Sequence, residues 1–453
     1  MGMSSVVGDI ASGRISSEQA AENLGDLHPL YSDYQAQAEA DRCYFCYDAP
    51  CMRACPTSID VPLFIRQIST GNIKGAATTI LGQNIMGGMC ARVCPTETLC
   101  EQVCVRNDDT GKPVKIGRLQ RYATDHLFDT GAQVFESKEK TGKSVAVVGG
   151  GPAGLSCAHG LARQGHDVTV YDAREKPGGL NEFGIAAYKT VDDFAQREVD
   201  FIVGLGGIEI KLGQRLGEHH TLDGLRENFD AVFLAIGMGG VNALGLDREE
   251  LGGVVDAVDY IAELRQADDP SGLQIGRRVV VVGGGMTAVD IAVQSKLIGA
   301  EDVTIVYRRG QDAMKASPYE QDLAQTNGVK IQTWAAPVCL NGEGGKLASI
   351  EFARTQLNGD GKLHISDEHF TLEADMVFKA IGQKVVVEQL SDNDQKLKLD
   401  GGRIAIDEAR KTNLANVWAG GDCVVGGEDL TVTAVEDGKV AARSIHHFLQ
   451  QGA

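Results

Sequence analysis

The chain has 453 residues, 43% of them hydrophobic, and a net charge of −19. That length predicts about three domains, and the acidic balance argues against nucleic acid or an anionic membrane as partner, because no basic surplus exists to meet phosphates. No apolar run approaches ~18 residues and no signal-peptide pattern opens the sequence, so the expectation is a soluble, cytoplasmic protein without a membrane partner.

Residues 1–40 read as polar helix. Then comes Cys43-x2-Cys46-x4-Cys51-x3-Cys55-Pro56, and after a helical stretch, Ile59–Gly82, a second set: Cys90-x3-Cys94-Pro95-x4-Cys100-x3-Cys104. Eight of the eleven cysteines fall in this region, beside the fold signals of an intracellular enzyme, so metal ligation is preferred over disulfides. The tight spacing and Cys-Pro endings match the pattern in which thiolates hold 4Fe–4S clusters. Structural zinc is the alternative, but only Cys43 and Cys46 have the pair spacing zinc prefers. Spacing alone does not say which cysteine joins which cluster. Arg118 and Arg121 read as a solvated helix face, and Glu136–Lys143 as a linker.

Ser144–Val148 is a valine-rich run, the mark of a buried parallel strand. It leads into Gly149-x-Gly151-Pro152-Ala153-Gly154 and a helical pattern through Arg163. The glycines permit a tight turn, close approach of backbone to a pyrophosphate, and close helix–strand packing. The helix start offers unpaired N–H groups to the phosphates. A second strand, Asp167–Tyr171, ends at Asp172, about 20 residues past the turn, where this fold places a ribose-binding acid. Pro177-Gly178-Gly179-Leu180 is a turn placed for backbone to meet a flavin ring; an ordinary turn is the alternative. Ala231–Gly237 is another apolar strand.

The pattern then repeats. A valine-rich strand, Arg277–Val282, leads into Gly283-x-Gly285-Met286-Thr287-Ala288 and a helix, then a strand, Val303–Tyr307. Met376–Gly382 echoes Ala231–Gly237. Two dinucleotide folds therefore lie in tandem, one inserted in the other. Here the second strand ends in Arg308-Arg309, not an acid, which suits a 2′-phosphate and hence NADPH; a surface arginine pair is the alternative. Val417–Asp422 brings Gly421 and Asp422 to the flavin; Leu430-Thr431-Val432 follows, with Thr431 and Val432 as flavin contacts, and a helix from Ala434 to about His447 aims its N-terminal amides at the pyrimidine edge. Cys157, Cys339 and Cys423 form no C-x2-C pair, so no disulfide-reductase mechanism is expected.

The fold class is thus α/β: an all-α iron–sulfur domain (1–143), then two tandem or nested Rossmann-like dinucleotide-binding domains, one for FAD (144–245 and 383–453) and one for NAD(P)H (246–382).

The sequence resembles the family of the glutamate synthase small subunit and the flavin half of dihydropyrimidine dehydrogenase. The residues that carry the resemblance are Cys43–Pro56, Cys90–Cys104, Ile116–Tyr122, the two glycine turns, Pro177–Leu180, Tyr307–Arg309, Ala419–Asp422 and Thr431–Lys439. It implies FAD, NADH or NADPH, and two interleaved 4Fe–4S clusters. One cluster would take Cys43, Cys46, Cys51 and Cys104; the other Cys55, Cys94, Cys100 and Gln120, leaving Cys90 free. Gln120 stands where the glutamate synthase branch has a glutamate, which favours the dihydropyrimidine dehydrogenase branch. No barrel of βα repeats is present, so an FMN-containing partner subunit would reduce uracil or thymine with electrons from this chain. The resemblance leaves two other readings, a glutamate synthase small subunit and a stand-alone NAD(P)H diaphorase. Bacterial members of the dihydropyrimidine dehydrogenase branch are generally NAD-linked, which conflicts with Arg308-Arg309, so NAD against NADP stays open.

Overall fold

The computed structural model describes residues 10–386 and 396–451; the opening of the 1–40 expectation and parts of segment 383–453 lie outside them. The chain divides into two compact units. One comprises Met1–Leu27, Phe183–Val191 and Val241–Gln383; the other His28–Glu182, Asp192–Gly240 and Lys384–Ala453.

The larger unit is built on a five-stranded sheet in the order Val417–Ala419, Ala231–Leu234, Ser144–Val148, Asp167–Tyr171, Ile208–Lys211. Every pairing is parallel. The central strand is valine-rich because helices cover both faces of such a sheet. Pro152–Arg163 and the long helix Thr431–Gln451 pack on each other through small residues. Gly438 permits it, since a Cβ there would sit 2.1 Å from the Ala153 carbonyl oxygen.

The same unit carries the cysteine segment as short helices: Asp33–Ala40, Val61–Ser69, Ile73–Gln83, Gly87–Val93 and Ile116–Thr130. The expected helix over 59–82 is two helices, divided at Thr70–Asn72, because Gly71 takes φ +77° and Asn72 caps the next helix through Gly75 N–H. Phe64, Ile65, Ile80 and Leu119 form the centre of their core, joined by Leu155 and Ile202 of the flavin-type fold. The solvated face expected around Arg121 is corrected: Arg121 is buried, its guanidinium held by Asp125 one turn on and by the His28 carbonyl. An i,i+4 pair of this kind is equally at home on a surface, so the spacing alone could not reveal burial.

The smaller unit has a second five-stranded parallel sheet: Lys330–Thr333, Asp302–Tyr307, Arg278–Gly283, Met376–Ala380, Val254–Asp256. Met376–Ala380 pairs with Arg278–Gly283 as Ala231–Leu234 pairs with Ser144–Val148. The sequence echo therefore marks the same position in each sheet. A three-stranded antiparallel sheet, Ala335–Glu343, Lys346–Leu357 and Leu363–Glu373, interrupts the second fold between its fourth and fifth strands in chain order. Segment Phe183–Val191 packs here too: Lys189 is buried between Asp290 and Glu320 at 2.7 and 2.8 Å. Among the described residues no helix is long and apolar enough to cross a membrane.

Candidate functional site: two dinucleotide turns and a cysteine pocket

The first glycine turn is shaped by contacts that exclude side chains. Gly149 has φ +107°, and a Cβ there would meet the Ala235 carbonyl at 2.1 Å. At Gly154 a Cβ would lie 1.9 Å from the Gly149 oxygen. Gly151 precedes Pro152–Arg163, with Pro152 and Ala153 in its first turn, so the free amides of that turn face the cradle. The turn at 177–180 lies against it: Gly178 N–H donates to the Gly150 carbonyl at 2.7 Å, and a Cβ on Gly179 would come within 2.7 Å of the Gly151 Cα. Leu180 is exposed beside it.

Asp172 sits at the end of its strand as expected, and both its oxygens accept backbone amides, Gly150 at 2.7 Å and Arg174 at 2.8 Å. Burial raises its pKa, against the pull of these two amides. The carboxylate thus braces the turn itself. On the other side, Gly421 takes φ +87° and donates to Asp437 at 2.8 Å. Asp422 is pushed up to about 6 by burial. Thr431 opens the long helix, its hydroxyl 2.8 Å from the amide oxygen of buried Asn181, and Val432 is buried behind it. Glycines leave the space, and the free amides of the helix start line it. These residues fit a dinucleotide such as FAD.

The second turn repeats the logic. Gly283 has φ +153° and a Cβ there would meet the Ala380 oxygen at 2.2 Å. Met286–Leu297 follows, with Thr287 and Ala288 in its first turn and nothing within 4 Å of a Cβ on Gly285. The Tyr307 ring covers Gly284, and the Tyr307 hydroxyl donates to the Ala313 carbonyl at 2.9 Å. Arg308 is exposed and Arg309 half-buried; among the described residues neither pairs with a carboxylate. The turn fits a second dinucleotide, with two cations at the end of its second strand.

Among the cysteines, Cys43, Cys46, Cys51 and Cys104 line one pocket with Val61 and Ile65. Burial pushes the Cys51 thiol up to about 12, and the Cys43 thiol is raised by the same cause. A cation in the pocket reverses that balance, because it stabilises the thiolate. Cys55, Cys94 and Cys100 form a second group. Cys94 is held well above the usual thiol range by a hydrogen bond with Cys90, by burial, and by the fields of Cys100 and Cys55. Cys100 is raised by burial, Glu101 and Cys55. Gln120 is buried on Ile116–Thr130, and its amide nitrogen donates to the Gly87 carbonyl at 2.7 Å. Among the described residues no three His, Cys, Asp or Glu side chains meet closely enough to chelate a single ion. Four soft thiols around one pocket are the donor set of an iron–sulfur cluster.

Two residues that motif reading missed support this region. Glu198, fully buried, accepts from Gly88 and Met89 N–H at 2.8 and 3.2 Å, fixing the helix that carries Cys90; burial pushes it up to about 8. Lys439 donates to the Thr57 and Gln83 carbonyls at 2.9 and 3.1 Å. A lone acid and a lone lysine on helical segments carry no sequence signal of such contacts.

Residues 143–438 match the model of the pyridine nucleotide-disulphide oxidoreductases, and residues 20–132 that of dihydropyrimidine dehydrogenase domain II, 4Fe-4S cluster. The chain belongs to the pyridine nucleotide-disulphide oxidoreductase family. It is 36% identical over 428 residues to the NAD-dependent dihydropyrimidine dehydrogenase subunit PreT of Escherichia coli O157:H7, covering 94% of this chain and 97% of the relative. It is 36% identical over 446 residues to the glutamate synthase [NADPH] small chain of Escherichia coli K12, covering 94% of each. Mycobacterium tuberculosis FprA in complex with NADPH shares the fold, with a TM-score of 0.57 and 18% identity over 68% of this chain and 85% of that one. As an oxidoreductase of this family with the iron–sulfur match, the chain uses FAD, a nicotinamide dinucleotide and 4Fe–4S chemistry.

Proposed function

We propose that this chain is the electron-input subunit of a dihydropyrimidine dehydrogenase. It would take electrons from NADH or NADPH and pass them to an FMN-containing catalytic subunit that reduces uracil or thymine. In this reading residues 1–143 hold two clusters, 144–245 with 383–453 hold FAD, and 246–382 hold the nicotinamide. The observation that carries the branch is Gln120, a neutral amide buried against Gly87, which opens the helix that carries Cys90.

When bound, FAD supplies the exchange between two-electron hydride chemistry and single-electron steps, and the clusters supply single-electron carriers. The chain's own residues do the holding. Gly149, Gly151, Pro152, Ala153 and Gly154 cradle the flavin pyrophosphate, Asp172 braces that cradle, and Gly179, Leu180, Gly421, Asp422, Thr431 and Val432 line the rest of the flavin. Gly283, Gly285, Thr287 and Ala288 receive the second pyrophosphate, and Arg308 and Arg309 its adenosine end. Cys43, Cys46, Cys51 and Cys104 ligate one cluster; Cys55, Cys94, Cys100 and Gln120 the other. No residue acts as a general acid or base, since the task is orientation and conduction.

The 36% identity to a glutamate synthase small chain favours a second reading, in which the partner is a glutamine-using large subunit. Anaerobic purification from the native host, with mass spectrometry of what co-elutes, separates the two. An FMN-binding partner supports the proposal; a large amidotransferase, or no partner, overturns it.

A further inference from the structure

Trp334 stands at the corner between the strand Lys330–Thr333 and the strand Ala335–Glu343. Its backbone is left-handed, φ +58°. Glycine and asparagine adopt that region readily; a bulky aromatic residue there is strained, and strain of this kind collects at binding sites.

The corner is pinned to the arginine pair. Trp334 N–H donates to the Arg309 carbonyl at 3.1 Å, and Trp334 accepts from Thr355 N–H at 3.0 Å. The Thr355 hydroxyl in turn donates to the Arg308 carbonyl at 2.8 Å. Both arginine carbonyls are therefore fixed. The edge of the indole lies on Gly310, where a Cβ would come 2.9 Å from Cζ2 and 3.4 Å from Nε1. Any side chain at position 310 would push the ring away.

The position is also that of a nucleotide contact. Thr333 pairs with Tyr307 in parallel register. Trp334 thus follows the carboxyl end of Lys330–Thr333, next to the carboxyl end of Asp302–Tyr307, on the side of the sheet where dinucleotides bind. The indole is only half-buried, so part of it is open.

We propose that Trp334 is the platform on which the adenine of the nicotinamide dinucleotide stacks, with Arg308 and Arg309 at the adjoining ribose. Aromatic stacking accepts any adenine nucleotide, so the indole supplies affinity and the arginines supply discrimination at the 2′ position. The inference rests on the second glycine turn being the NAD(P)H site.

Trp334 and Trp418 are the chain's only tryptophans, and Trp418 is 1% exposed, its Nε1 donating to Ser444 at 2.8 Å. In flavin-loaded Trp418→Phe protein the remaining indole reports on the site directly. Adenosine 5′-monophosphate and adenosine 2′,5′-bisphosphate should quench its fluorescence saturably; nicotinamide mononucleotide should not. Trp334→Asn, which suits the left-handed backbone, should melt no lower than the parent while raising KM for the nicotinamide dinucleotide about tenfold. Trp334→Phe should restore most of that affinity. Calorimetric binding of the adenine fragments with an unchanged fluorescence signal, or an unchanged KM in Trp334→Asn, would show that the indole only locks the corner, and would overturn the proposal alone. Calorimetry showing no binding of NADH or NADPH would overturn the site reading and this inference together.

Discussion

The side-chain amide of Gln120 donates to the Gly87 carbonyl at 2.7 Å. In the proposed ligand set that bond occupies the amide nitrogen, so the oxygen is the end that would serve the cluster. Gln120→Ala should therefore alter the spectrum and potential of a single cluster and spare the other. Gln120→Glu sets a carboxylate against the Gly87 carbonyl and adds negative charge at the metal, so the midpoint of that cluster should fall. Electron paramagnetic resonance during a redox titration reads both. Equal effects on the two clusters would count against the interleaved ligand sets.

Gly154 tolerates no side chain, since a Cβ would lie 1.9 Å from the Gly149 oxygen. Gly154→Val should destabilise the fold by about 3 kcal/mol through overpacking and release the flavin. Purified protein that stays yellow with its usual flavin absorbance would refute the cradle.

Glu198 gives a pH dependence of defined sign. Its folded pKa, about 8, lies above the ordinary carboxylate value. The proton is therefore held more tightly in the folded state, so the contribution to stability is complete below about pH 4.5 and is lost as pH rises towards 8. The loss is at most about 1.4 kcal/mol per pH unit. Glu198→Gln keeps an acceptor for the Gly88 or Met89 amide and removes the titration. Thermal melts of the variant between pH 5 and 8 should be flatter than those of the parent; parallel curves would exclude Glu198 as the source.

Arg308 has no carboxylate partner among the described residues and stands exposed at the end of its strand. Arg308→Ala should raise KM for NADPH about tenfold while changing KM for NADH little, because only the former carries the 2′-phosphate. Equal changes would make the arginines ordinary surface charges.

The dinucleotide turns were legible because their glycines answer local demands: Gly149, Gly154 and Gly283 each avoid a specific backbone atom one strand or one turn away. The echo of Ala231–Gly237 in Met376–Gly382 was legible for the same reason, since both strands fill one slot in a repeated sheet. What stayed hidden depends on distant partners. Glu198 and Gly88 are 110 residues apart, and nothing around either position announces the other. Phe183–Val191 follows the flavin turn in sequence yet packs with the nicotinamide-type fold, anchored by Lys189 between two carboxylates. The buried Arg121 has the spacing of a surface pair. The cysteines announced their chemistry, but the grouping around the first pocket depends on Cys104 returning to a loop that begins at Cys43.

Lys439 bonds the Thr57 carbonyl across 382 positions of the chain. During synthesis Thr57 leaves the ribosome well before Lys439 is made, so the loops around Cys51 and Cys55 must wait for their clamp. Nascent polypeptide therefore exposes reactive sulfur while it is still unfinished, and insertion of the inorganic centres competes with oxidation of those thiols during that interval. A cell starved of iron, or exposed to oxygen, would accumulate chains in which Lys439 has clamped Thr57 while the thiols nearby are still unfilled.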